Sequence, residues 1–200
     1  MASIFINPVT ASMVSRQTLE DRLAHCGHRR VFCENDWGAA VRRQYGELLK
    51  NAGRTVADTR CPVAVSLAKS LPGGQQLLYA PIRPILLSCA AELSARRDLA
   101  GEDIIVTTPC RALAELGETL GLSRVRFMTA KSLLADIGCV PAKRLEASPI
   151  PLGYFRELGV KTVSVTGRDA IVNALEHLPG DARLLEMLYC AGGCHNGDGI

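Results

Sequence analysis

The feature that most constrains the fold is a regular alternation between short runs rich in β-branched residues and longer segments with helical periodicity. Short apolar runs bounded by turn residues are typical of buried strands. The eight segments predicted to be strands are residues 3–7, 30–34, 55–59, 76–80, 103–108, 124–129, 162–166 and 183–189. Strands that alternate with helices form mainly parallel sheets through right-handed crossovers, so we expect an α/β protein.

The length of the chain limits how these strands can be arranged. Eight strands are many for one open sheet in 200 residues, so two small parallel-sheet lobes within one compact domain over 1–200 are at least as natural. The proline-rich segment 139–155 is predicted to be a long ordered loop that could separate the lobes. Two helices are clearly delimited: one over 37–53 with Gly53 as its C-terminal cap, and one over 167–178 that stops at Pro179.

The composition excludes several classes of protein. The net charge is only +3, the basic residues are scattered, and aromatic residues make up 4%, which argues against nucleic-acid binding. Residues 1–17 lack the basic and apolar regions of a signal peptide, and no run is long enough for a membrane span. We therefore expect a protein of the reducing cytoplasm.

Eight cysteines are then informative, because cysteines in a reducing compartment more often serve metal or redox chemistry than disulfides. Cys61 and Cys110 each follow a predicted strand and precede a helical run, and Cys190 directly follows the last strand, with Cys194 four residues later. Ligands of α/β sheets gather beyond the carboxyl ends of strands. A thiol at a helix N-terminus also lies in a positive field, which favours the thiolate.

Four thiolates that converge from three strand ends would complete a Cys₄ site, suitable for tetrahedral zinc or for an iron–sulfur cluster. Structural zinc sites usually draw on local Cys-x₂₋₄-Cys pairs, and only Cys190 and Cys194 are local here. The dispersal of the other two ligands favours a [4Fe–4S] cluster, with zinc as the alternative.

Several of these segments resemble the catalytic domain of the iron-only hydrogenases. The resemblance is carried, in order, by "TRCPVAVSLAKSLPG", "YAPIRPILLSC", "IIVTTPCRALAE" and "LLEMLYCAGGCHNGDG", with "RFMTAKSLLADIGCVPAKRLEASPI" between the last two. It covers about two-thirds of the chain, and the last motif is the most specific. The resemblance implies a [4Fe–4S] cluster at the junction of two α/β lobes, held by Cys61, Cys110, Cys190 and Cys194. By position, Cys194 would be the ligand that bridges to the family's two-iron subcluster.

The departures from the family concern the hydrogen-activating groups. Arg60 stands where the family usually has a proton-relaying cysteine, and residues 111–114 contain no lysine to bond a cyanide ligand. The insertion and glycine-rich segment that enclose the two-iron site are missing, Asp198 interrupts the final glycines, and there is no ferredoxin-type Cys-x₂-Cys-x₂-Cys run. The sequence therefore indicates the cubane half of a hydrogenase site without hydrogenase activity.

Three residues are candidates for positions beside the cluster. Arg60 and Arg111 would offset the negative charge of a four-thiolate cluster, or bind an anionic substrate, and His195 would donate a hydrogen bond to a cluster sulfide. The remaining cysteines are Cys26, Cys33, Cys89 and Cys139. Cys26 and Cys33, with His25 and His28 nearby, could form a second metal site, but all four fit a structural role better.

Three functions follow from this site. The first is electron transfer or redox sensing with a partner protein, either a ferredoxin-type protein or a reductase. The second is an oxidoreductase, or another enzyme, that uses the cluster or a group attached at Cys194 to activate a substrate between the lobes. The third is a cluster scaffold or carrier in iron–sulfur or hydrogenase cofactor assembly. A cluster with four cysteine ligands has no iron open to a substrate, which favours the first.

Overall fold

The computed structural model describes residues 1–200 and confirms the α/β class, with two parallel four-stranded sheets. All eight predicted strands are present, although most are shorter than predicted. The strands are β1 Ala2–Phe5, β2 Arg29–Val31, β3 Val56–Ala57, β4 Leu78–Tyr79, β5 Asp103–Thr108, β6 Val125–Thr129, β7 Thr162–Thr166 and β8 Leu184–Leu188.

Eight α-helices connect the strands, together with four short 3₁₀ turns. The helices are α1 Pro8–Met13, α2 Arg16–His25, α3 Trp37–Asn51, α4 Pro62–Lys69, α5 Ile85–Ala95, α6 Arg111–Glu118, α7 Ala130–Asp136 and α8 Arg168–Glu176. The 3₁₀ turns are Pro72–Gln76, Arg97–Leu99, Arg156–Leu158 and Cys194–Asn196. None of these helices combines the length and the apolar character needed to cross a membrane.

The chain divides into two compact units. Unit 1 comprises residues 1–35, 86–149 and 197–200, and unit 2 comprises residues 36–85 and 150–196. The predicted loop 139–155 contains no helix or strand, and the chain passes from unit 1 to unit 2 within it.

Unit 1 contains the sheet in the order β2-β1-β5-β6. Strand β1 connects to β2 on one side of the sheet, and β5 connects to β6 on the other side. The two connections therefore run in opposite directions from the central strands. Crossovers in opposite directions lie on opposite faces of a parallel sheet, and the edge beyond the carboxyl ends of β1 and β5 is where ligands of such sheets usually bind. One face of this sheet packs against α5 and α6. Fully buried side chains such as Leu93 of α5 and Val106 of β5 fill the space between them, and burial of each such side chain contributes about 1.5–3 kcal/mol.

Unit 2 contains the sheet in the order β4-β3-β8-β7, so β8, the last strand of the chain, lies between β3 and β7. Val56 pairs with Leu184, and Ala57 pairs with Leu185. The carboxyl ends of β3 and β8 are therefore neighbours, which positions the residues that follow each strand at the same edge of the sheet.

Helix α3 begins at Trp37 as predicted, because the side chain of Asp36 caps it by accepting the N–H of Ala39 at 2.9 Å. The predicted cap at Gly53 is wrong: the helix ends at Asn51, and Ala52 is its extended C-terminal cap. Helix α8 is also shorter than predicted, because His177 already leaves the helical conformation before Pro179 is reached.

Candidate functional site

Cys61 is the N-terminal cap of α4 in unit 2. Strand β3 ends at Ala57, four residues turn the chain, and Pro62 occupies the first helical position, where its missing N–H costs nothing. The sulfur of Cys61 accepts the N–H of Tyr189 at 3.5 Å, and its side chain makes no capping hydrogen bond to α4. One backbone donor thus reaches the sulfur from the end of β8, which suits a ligand carrying negative charge.

Burial nevertheless raises the pKa of the Cys61 thiol above its ordinary value. The backbone N–H groups of Ala64, Tyr189 and Val63 lower this pKa but are outweighed by the loss of hydration. The helix N-terminus therefore favours the thiolate, but burial has the larger effect on this residue.

Cys190 begins a tight loop that follows β8. The N–H of Gly193 donates to the carbonyl of Cys190 at 3.0 Å, and the N–H of Gly192 donates to the hydroxyl of Thr166 at the end of β7, at 3.1 Å. Gly192 and Gly193 have φ values of 77° and 121°, which residues with a side chain rarely adopt. The glycine pair thus lets the chain turn between Cys190 and Cys194.

Cys194 opens the 3₁₀ turn Cys194–Asn196, which buries the following histidine. His195 is 9% exposed, and its Nδ1 atom has no hydrogen-bond partner, whereas Nε2 lies 3.3 Å from Nδ2 of Asn196. A buried polar atom without a partner costs about 1–3 kcal/mol. A bound group that accepts or donates a hydrogen bond would remove this cost.

Cys110 belongs to unit 1 and occupies the corresponding position after β5. It is the N-terminal cap of α6, with extended backbone angles and no capping bond from its side chain. The last residues of the chain pack against this turn: the N–H of Gly199 donates to the carbonyl of Pro109 at 3.1 Å, and the N–H of Arg111 donates to Asp198 at 3.0 Å. A Cβ at Gly199 would lie 2.9 Å from the backbone nitrogen of Cys110, so only glycine fits there.

Arg60, a predicted neighbour of the cluster, is committed to two buried carboxylates in unit 2. Its Nε lies 3.0 and 2.9 Å from the oxygens of Asp58, and its Nη2 lies 2.6 Å from Glu186. The guanidinium also contacts the rings of Tyr154 and Phe155, at 4.6 and 4.4 Å from their centroids. We name Asp58, Arg60 and Glu186 the buried ion triad.

The triad is satisfied on every side. Glu186 accepts the hydroxyl of Ser164 at 2.7 Å and the N–H groups of Gly153 and Tyr154, and Asp58 accepts the hydroxyl of Tyr45 at 3.1 Å. Burial would lower the pKa of Arg60, but the carboxylates of Asp58 and Glu186 outweigh it and raise that pKa. Arg60 is therefore a fixed cation.

The sequence interpretation missed Asp58, Glu186, Tyr154 and Phe155. One signal was available: Glu186 interrupts the apolar strand "LLEML", and a charge within a buried strand needs a partner. The other predicted arginine, Arg111, has an exposed side chain.

The four remaining cysteines all lie in unit 1, and two of them are in contact. Cys26 is exposed and lines a cavity of about 380 Å³ with His28. Cys33 contacts Cys89, and Cys139 is buried. In the whole chain, the predicted ligands Cys61, Cys110, Cys190 and Cys194 included, the structure brings no three histidine, cysteine, aspartate or glutamate side chains into a group that could hold a metal ion.

No family model, curated protein or solved structure matches the chain. The likeness to the iron-only hydrogenases therefore depends on the sequence motifs alone. The residues of unit 2 fit a cluster in two respects: the donor set at the carboxyl ends of β3 and β8 is thiol, and the buried Nδ1 of His195 has no protein partner.

Proposed function

We propose that this chain binds a [4Fe–4S] cluster through Cys61, Cys110, Cys190 and Cys194 and acts in electron transfer or redox sensing. The observation that carries the proposal is the hydrogen bond from the N–H of Tyr189 to the sulfur of Cys61. It brings the first predicted ligand against the residue that precedes the Cys190 to Cys194 loop, although the two lie 128 positions apart.

The backbone donor at Cys61 supports a redox role. Hydrogen bonds to cluster sulfurs stabilise the more negative, reduced state and so raise the reduction potential. The N–H group of Tyr189 would do this at Cys61, and His195 would add a donor through Nδ1. When bound, the cluster would supply one-electron chemistry, and these residues would hold and tune it.

The buried ion triad supports a cluster protein without hydrogenase activity. Arg60 stands where the resemblance implies a proton-relaying cysteine, but both of its carboxylate partners raise its pKa. A guanidinium that never releases its proton cannot relay one. We therefore place the chain among cluster proteins that exchange electrons with a ferredoxin-type partner or a reductase in the cytoplasm.

The proposal is tested by single substitutions of the ligands in protein purified without oxygen. We expect Cys190→Ser and Cys61→Ser to lose most of the bound iron and the brown colour. Cys139→Ser is the matched control, because Cys139 is a buried cysteine outside the ligand set. Full iron content in Cys190→Ser, with circular dichroism showing the native fold, would contradict the ligand assignment.

A further inference from the structure

A second pair of cysteines meets in unit 1, away from the proposed ligands. Cys33 lies two residues beyond β2, and Cys89 lies in the middle of α5. The sulfur of Cys33 donates to the carbonyl oxygen of Cys89 at 4.0 Å, so the side chain of Cys33 lies against Cys89. The two thiols are therefore neighbours although 56 positions separate them.

One face of α5 fixes this contact. Glu92 accepts the N–H groups of Glu34 and Asn35, at 2.6 and 3.2 Å, and Arg96 donates to the carbonyl of Phe32 at 2.6 Å. Cys89 and Glu92 are three residues apart in α5, so they lie on one side of the helix, and Arg96 directly follows the end of the helix. Segment 32–35 is thus held along that side, with Cys33 against Cys89.

The two thiols differ in access to solvent. Cys33 is partly exposed, whereas Cys89 is only 6% exposed. The neighbouring thiol of Cys33, together with burial, raises the pKa of Cys89. A reagent in solution therefore reaches Cys33 first. The sulfur of Cys89 is then placed to attack a mixed disulfide formed at Cys33.

We propose that Cys33 and Cys89 form a redox-active dithiol that closes to a disulfide by exchange with a small disulfide such as oxidised glutathione. The thiolate of Cys33 attacks the reagent, which forms a mixed disulfide and releases one glutathione thiolate. The sulfur of Cys89 then attacks Cys33, and the second glutathione leaves. The two leaving thiolates take up the protons of the two cysteines, so two protein sulfurs are oxidised and one small disulfide is reduced.

This pair differs from ordinary core cysteines. Cys139, for example, is also buried in unit 1, and burial raises its pKa, but the charged group that acts on it is Arg22 rather than a second thiol. A disulfide requires two cysteines that are close enough for their sulfurs to meet, and the sulfur of Cys33 already contacts Cys89.

The test treats the protein, purified without oxygen and with its bound iron, with oxidised glutathione. Peptide mapping without reduction should recover a Cys33–Cys89 linked peptide, and dithiothreitol should restore two alkylatable thiols. In Cys89→Ser we expect a stable glutathione adduct at Cys33, because the resolving thiol is gone. In Cys33→Ser we expect Cys89 to stay unmodified, because it is buried.

Cys26→Ser and Cys139→Ser are the controls and should form the linked peptide as the parent chain does. Iron is measured in each sample, so the outcome is independent of whether a cluster is bound. Recovery of both cysteines as free thiols from the parent chain, or an adduct at Cys89 in Cys33→Ser, would overturn the proposal.

Discussion

At the scale of single residues, the chemistry depends on which partners surround each buried charge or thiol. Arg60, Asp58 and Glu186 compensate one another inside unit 2, and the surrounding aromatic rings exclude water from them. The thiol of Cys61 receives a backbone donor but no cation. Arg60 and Cys61 are adjacent in the sequence, but their environments differ. The charges of the ion triad are fully paired, whereas the Cys61 thiol has no cationic partner and would suit a metal ion.

Removal of the cation from the triad should be strongly destabilising. Arg60→Met leaves two buried carboxylates without their partner, and loss of one member of a buried ion pair costs about 3–5 kcal/mol. Arg42→Met is the matched control, because Arg42 also contacts the ring of Tyr154 but pairs with the exposed Glu157, a pair worth about 0–1 kcal/mol. Urea unfolding measures both variants. A loss in Arg60→Met no larger than in Arg42→Met would contradict the account of the triad.

The raised pKa of Cys61 predicts a dependence of stability on pH in the iron-free protein. The folded chain holds this proton more tightly than the unfolded chain does, so the stabilisation is complete below the ordinary thiol pKa of 9.0. It declines as the pH rises through the folded-state value. Unfolding free energies measured across the alkaline range should fall less steeply in Cys61→Ser than in the parent chain. Equal slopes would show that burial does not shift this thiol.

At the scale of elements, each proposed ligand lies at a junction between a parallel strand and the segment that follows it. Cys61 and Cys110 cap helices directly, whereas Cys190 enters a loop that only a glycine pair can form. In unit 1 the terminal residues 197–200 pack on the turn at Cys110, where Gly199 leaves no space for a side chain.

The contact at Gly199 should fix the position of the turn at Cys110. In Gly199→Ala the added methyl group meets backbone atoms of Pro109 and Cys110, which cannot yield as a flexible side chain would. We expect a loss of about 1–3 kcal/mol and faster amide hydrogen exchange at Arg111 and Lys131. Gly180→Ala, where the new methyl group meets nothing, is the control. Unchanged exchange at Arg111 would contradict this packing.

At the scale of the whole molecule, the class and the strands could be predicted because periodicity is a local property. Strands β5 and β7 match their predicted bounds because β-branched residues dominate each of them, as in "IIVTT" and "TVSVT". Strand β3 has only two residues, Val56–Ala57; the N–H of Asp58 still donates to the carbonyl of Leu185 at 2.9 Å, and the side chains of Asp58 and Arg60 then enter the ion triad. No local pattern reveals that contact, since Glu186 lies 126 positions from Arg60.

The candidate site also combines positions that the sequence predicts with contacts that it does not. The positions of Cys61, Cys110 and Cys190 at strand ends could be predicted, because each follows its own strand in the sequence. The contact of Cys61 with Tyr189 depends on strand order, which places β8 beside β3. The Cys33–Cys89 contact depends on how segment 32–35 docks on α5. Because no local pattern reveals that contact, the sequence alone favours a structural role for both cysteines.

The measurement that tests the central claim most directly is the metal content of the protein purified without oxygen, combined with EPR after dithionite reduction. A [4Fe–4S] cluster predicts about four irons and about four acid-labile sulfides per chain, with a spin one-half signal from the reduced cluster. Stoichiometric zinc in a colourless protein, without iron or sulfide, would contradict it.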